Sequence, residues 1–143
     1  MSLSNKKKQV LFICTHNAAR SQIAEGLLRP LHGNRYEVFS AGTEPGRVSP
    51  YAIIMVMAEI NIDISAHRAK SLQEFLDQRF DYVITVCDHA NESCPYFPGG
   101  KKILHKSFED PSALTETEEE IMAGFRRIRD EIRKWIENEF FNM

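Results

Sequence analysis

Apolar residues along this chain follow two alternating periods. Residues 9–14 (QVLFIC) form a nearly unbroken apolar run rich in β-formers, the pattern of a strand covered on both faces in a parallel sheet. The period then changes. Ile23, Ala24, Leu27, Leu28 and Leu31 recur at helical spacing, with Gly33 and Asn34 as stop signals and Pro30 expected to kink or fray the last turn. Residues 36–40 (YEVFS), closed by Ala41 and Gly42, predict a second strand. Ser49 and Pro50 read as the cap and first-turn residue of a helix reaching about Glu59, and Ser71 with Glu74 as the capping box of a short helix to about Asp77. Residues 82–87 (YVITVC) predict a third buried strand and 102–105 a short fourth. Thr115 with Glu118 is expected to open the last helix, whose apolar face is Ile121, Phe125, Ile128, Ile132, Trp135 and Ile136.

Strands alternating with helices predict an α/β fold, a three-layer sandwich around a four-stranded central parallel sheet with right-handed crossovers. Such sheets bind ligands at the carboxyl ends of their strands. Cys14 and Cys87, 73 residues apart, both close predicted strands, so the sheet brings them to one edge. Residues 9–140 read as a single catalytic domain and 1–8 (MSLSNKKK) as a flexible tail or cloning remnant.

Composition narrows the function classes. The chain has 143 residues, 43% hydrophobic and 27% charged, enough for one buried core. Lys plus Arg is 18 against 20 for Asp plus Glu, a net charge of −2, so no field of one sign is present to hold a nucleic acid or an anionic membrane. No apolar run approaches the roughly 20 residues of a membrane span, and the N-terminus lacks a secretory core. The expectation is a cytoplasmic protein with neither nucleic-acid nor membrane partners. Three cysteines cannot all pair, and a domain of this size folds without a disulfide, so the cysteines point to chemistry.

That chemistry centres on residues 14–21, CTHNAARS. A cysteine ends a strand, five residues intervene, and an arginine and a serine open a helix. The intervening backbone of Thr15, His16, Asn17, Ala18 and Ala19 can curl so that its N–H groups converge on a tetrahedral oxyanion, aided by the positive end of the helix. Arg20 offers a planar fork of donors to the same oxyanion. Cys14 is the nucleophile, Ser21 can donate to its sulfur, and Asn17 tolerates the left-handed backbone such a curl needs. His16 reads as a loop-bracing residue rather than a catalytic one, and His32 and His67 carry no signal.

CTHNAARSQIAEGLL, FSAGTEP, IDIS, DYVITVCDHANESCP and FEDP, in this order, resemble the thioredoxin-coupled arsenate reductases, which share the fold and anion loop of the low-molecular-weight protein tyrosine phosphatases. The resemblance runs from Gln9 to about Glu137. It implies a relay of three cysteines. Cys14 attacks arsenate, Arg20 and the loop hold its oxygens, and Asp110 protonates the departing oxygen. Cys87 then attacks Cys14, arsenite leaves, and Cys94 draws the disulfide outward to where thioredoxin reduces it. The implied partners are therefore arsenate, with phosphate or sulfate as analogues, and thioredoxin as external reductant. No metal and no bound cofactor is implied.

A phosphatase of this fold is the main alternative, and it has no use for the second pair of cysteines. Cys87 and Cys94 stand seven residues apart in CDHANESC. In a continuous helix their Cα atoms would be about 10.5 Å apart, whereas a disulfide tolerates about 7 Å, so bonding requires this polar segment to unwind. Ser112 follows the Asp110-Pro111 pair where such phosphatases typically carry an aromatic residue. A thiol-sensing or zinc-binding module built from Cys87, His89, Cys94 and His105 is the reading from another class, although the spacing matches no closed zinc pattern. Some relatives hold potassium beside the anion loop, and Asn17, Glu25 and Ser40 match part of that site. Arg68 and Lys70 stand where oxygen ligands are expected, so no specific potassium site is predicted here, with Lys70 supplying the positive charge itself.

Overall fold

The computed structural model describes residues 7–15, 19–43, 51–87, 97–109 and 117–140. Its strands are β1 (Lys8–Cys14), β2 (Tyr36–Gly42), β3 (Phe80–Thr85) and β4 (Gly100–His105), and its helices are α1 (Arg20–His32), α2 (Tyr51–Ala58) and α3 (Glu118–Glu139). All strand pairings are parallel, in the order β2-β1-β3-β4. The chain runs outward one way from β1 to β2 and the other way from β1 to β3 and β4, so the carboxyl end of β1 is the switch point where such sheets open a crevice.

One sheet face carries Val10, Phe12, Cys14, Val38 and Ile84 and packs on α1, α2 and α3 through Ile23, Leu27, Val56, Ile128, Ile132 and Ile136. The other face, with Leu11, Ile13, Ala41 and Val83, is covered among the described residues by Leu72 and Phe75 of a 3-10 turn (Leu72–Phe75) and by Phe97. The four-stranded parallel sheet between two layers is as the sequence predicts. At Gly26 an added Cβ would meet Ile64 Cγ2 at 2.9 Å and Met57 at 3.0 Å, so a side chain there would push α1 off the segment after α2. No helix among the described residues is long and apolar enough to cross a membrane.

Several boundaries move. The last helix is capped by Thr117, whose hydroxyl accepts from Glu120 N, rather than by Thr115. TETEEE contains two Thr-x-x-Glu pairs, and local sequence cannot choose between them. Pro30 lies inside α1 without ending it. Its missing N–H leaves the carbonyl of Gly26 without its intrahelical partner, and only two helical residues follow it. The segment opened by Ser71 closes as a 3-10 turn, with Ser71 Oγ accepting from Gln73 N while Glu74 pairs with Arg68. β3 ends at Thr85, two residues before Cys87, although Val86 N still donates to Ile13 O at 2.9 Å. The Ser49-Pro50 cap lies outside the described residues.

Candidate active site

Cys14 is the last residue of β1 and is 1% exposed. Its Sγ is hydrogen-bonded to Ser21 Oγ at 2.9 Å, the partner expected from the spacing alone. The strand and the first turn of α1 therefore meet at the sulfur. Thr15 and Ala19 flank the loop between them, and its centre, His16, Asn17 and Ala18, lies outside the described residues. Ala19 occupies the N-cap of α1 and makes no side-chain cap bond. A methyl group cannot accept from first-turn N–H groups, so this helix entrance is suited to an anion brought from outside the chain.

Arg20 is 2% exposed, and a buried guanidinium requires acceptors. Its Nη1 donates to Phe108 O at 3.3 Å. Phe108 is itself buried and packs edge-on against Trp135, with ring centroids 5.7 Å apart. The segment after β4, which leads to Asp110, is thus tied to the arginine of the loop. Asp110 lies outside the described residues. Nothing in the sequence singles out Phe108, because the group that matters is a backbone carbonyl 88 residues from its partner.

β1 and β3 pair with Ile13 opposite Thr85, so Cys14 and Cys87 leave neighbouring strands at the same edge. Adjacent strands lie about 4.8 Å apart, so the two chain segments that carry these cysteines run side by side at that edge. Cys87 is fully buried and disulfide-bonded, whereas Cys14 is a free thiol. Cys94 and His89 lie outside the described residues. His105, at the end of β4, turns to Thr85 (Nδ1 to Oγ1, 2.7 Å) and to Ser107 (Nε2 to Oγ, 2.9 Å). No group of three His, Cys, Asp or Glu side chains among the described residues could hold a metal ion.

Behind the loop, residues 67–70 clasp the first two turns of α1. Gln22 Nε2 donates to Arg68 O at 2.9 Å, and Gln22 Oε1 faces His67 Nδ1 at 2.9 Å. The buried carboxylate of Glu25 accepts from Ser40 Oγ at 2.5 Å and from Arg29 Nη2 at 2.6 Å. Lys70 Nζ stands 3.7 Å from the same carboxylate, with 14% of its side chain exposed. Burial pushes the Lys70 ammonium down from its usual pKa, and Glu25 opposes that shift.

His67, which the sequence leaves without a role, is part of this clasp. Because Gln22 presents its oxygen, Nδ1 carries the proton, and Nε2 accepts from Arg29 Nη1 at 3.3 Å. Burial lowers the His67 pKa, Arg29 and Lys70 add to the effect, and Glu25 opposes it. The fold therefore favours the neutral ring, and the unfolded chain binds more protons between the two pKa values. The stability this contributes is complete above about pH 6.5 and is lost as the pH falls through the native value. In urea titrations between pH 8 and 5, the wild type is expected to lose more stability on acidification than His67→Gln. Equal slopes would show that the ring is not held neutral.

Residues 9–140 match the family described as low molecular weight phosphotyrosine protein phosphatase. An arsenate reductase of Halalkalibacterium halodurans is 44% identical over 130 residues, covering 91% of this chain and 93% of that protein. An arsenate reductase solved in a phosphate binding state superposes with a TM-score of 0.75 at 32% identity, covering 92% of this chain and 95% of the other. A thioredoxin-dependent arsenate reductase of Corynebacterium glutamicum gives a TM-score of 0.67 at 32% identity, covering 99% of this chain and 66% of the other. With the Cys14 loop at the switch point of the same parallel sheet, the chain belongs to the low molecular weight phosphotyrosine protein phosphatase family and, within it, to the arsenate reductases.

Proposed function

We propose that this protein reduces arsenate to arsenite through Cys14, Cys87 and Cys94 and is restored by thioredoxin. The observation that carries the reading is the pairing of a free Cys14, hydrogen-bonded to Ser21 beside Arg20, with a disulfide at Cys87 just past the adjacent strand. In a chain with three cysteines, that is the state in which the relay ends before its external reductant acts.

Each step balances. The Cys14 thiolate attacks arsenic, and one oxygen departs as water with a proton from Asp110, leaving a sulfur–arsenic bond. The N–H groups of residues 15–21 and the Arg20 fork hold the remaining oxygens. The Cys87 thiolate attacks the Cys14 sulfur, the sulfur–arsenic bond breaks, and its electron pair stays on arsenic, which leaves as arsenite. Cys94 then attacks Cys87, and Cys14 returns to the thiolate form. Residues 9–140 act as one catalytic unit. Thioredoxin is the reductant because a relative that covers the whole fold depends on it. Phosphate is the expected analogue for the same loop, in keeping with a solved relative in a phosphate binding state. A cytoplasmic setting suits a disulfide that must be reduced in every cycle.

The competing reading is a phosphatase, supported by the family to which the chain belongs. The test couples the protein to NADPH, thioredoxin reductase and thioredoxin. NADPH oxidation that starts on addition of arsenate supports the reductase. A flat trace, with rapid hydrolysis of p-nitrophenyl phosphate, would establish the phosphatase.

The reading assigns no potassium to the cycle, because the Lys70 ammonium already stands against Glu25. Turnover is accordingly expected to be equal in potassium and sodium chloride at matched ionic strength. Lys70→Met removes the charge that offsets the buried Glu25 carboxylate and should lower kcat about tenfold. Specific activation of the wild type by potassium would overturn this part.

A further inference from the structure

β4 is the outer strand of the sheet, and its sequence GKKILH is followed directly by Lys106. Lys101, Lys102 and Lys106 are exposed, and no acid interrupts the run. Across a cleft of about 330 Å³ stands Lys134 of α3, with the rings of Phe108 and Trp135 also lining the cleft. Among the described residues, two neighbouring acids are already engaged, since Arg127 binds Glu109 at 2.9 Å and Glu131 at 3.1 Å. Asp81 lies 3.7 Å from Lys101, while among the described residues no carboxylate lies within 4 Å of Lys102, Lys106 or Lys134. A chain of net charge −2 thus concentrates positive charge along one edge.

That edge lies beside the end of β3 that leads to Cys87. Lys106 N donates to Thr85 O at 2.9 Å, which places the basic run beside the end of β3, two residues before Cys87. β1 and β2 lie on the far side of β3, so the solvent-facing strand next to Cys87 is β4.

We propose that β4, with Lys101, Lys102 and Lys106, is the docking face for the reductant, and that it selects an acidic protein carrying two thiols. This deepens the relay reading and rests on it. One thiolate of the partner attacks the disulfide that Cys87 shares, that bond breaks, and the expelled sulfur takes a proton. The partner's second thiolate then attacks the mixed disulfide and releases the second sulfur. Two electrons and two protons pass to this protein, and the partner leaves with a disulfide. Opposite charge speeds the encounter, and Phe108 and Trp135 of the cleft offer apolar contact once the partner is seated.

The experiment measures arsenate turnover with an acidic thioredoxin from 20 to 300 mM NaCl, for the wild type and for K101E/K102E/K106E. The reversal is expected to raise KM for thioredoxin about tenfold and to flatten its dependence on salt. Arsenite released in one round without reductant, and turnover with dithiothreitol, should stay at wild-type levels. K101Q/K102Q/K106Q should show an intermediate KM and serves if the reversal does not fold. Lysines on an edge strand also discourage self-association. An unchanged KM in a folded variant, with or without aggregation, would overturn the docking role. Absence of arsenite in the wild-type single round would instead overturn the relay on which the proposal rests.

Discussion

Cys94→Ser is expected to release one equivalent of arsenite and then stop. With Cys14, Arg20 and Cys87 intact, the oxyanion is still bound and attacked, and Cys87 still resolves the sulfur–arsenic bond. The disulfide then stays between Cys14 and Cys87. Cys14 is 1% exposed and Cys87 is fully buried, so a protein reductant has no route to that bond. Steady turnover should fall to about one hundredth of the wild type or lower. Quantifying arsenite against enzyme in a rapid-quench series checks this, and the trapped Cys14–Cys87 pair should appear in non-reducing peptide maps. Undiminished turnover would show that Cys94 is a bystander.

Arg20→Lys is expected to lower kcat/KM for arsenate by about 10²–10³-fold, the usual cost of losing a preorganised oxyanion donor. The substitution keeps the charge and loses the fork. Arg20 is 2% exposed and gives one edge to the carbonyl of Phe108. A lysine ammonium is a single point donor on a flexible stem and cannot serve that carbonyl and a planar pair of oxygens together. A melting curve separates a failed fold from a failed site. A well-folded variant that keeps wild-type kcat/KM would mean that the loop N–H groups alone carry the oxyanion.

How much of this was readable in the sequence depended on the range of the interaction. β1 and β3 were legible because a strand buried on both faces needs an unbroken apolar run, and QVLFIC and YVITVC supply it. The contact between Cys14 and Ser21 was legible because a strand-to-helix turn of that length returns the chain on itself. Glu25, Ser40 and Lys70 were marked by the resemblance and by the charge that departs from it, and the structure places all three together. The exact cap of α3 was hidden by a repeated Thr-x-x-Glu pattern. His67 and Phe108 were not legible at all. Each acts across a loop closed by tertiary packing, and Phe108 acts through an atom that every residue possesses.

The most direct test of the account mixes fully reduced protein with arsenate under anaerobic conditions, with no other reductant. Arsenite is then counted and the disulfide mapped. The account predicts one arsenite and two lost thiols per chain, with Cys87 joined to Cys94 and Cys14 free. Bound arsenate with no arsenite formed, and three thiols still titratable, would contradict it.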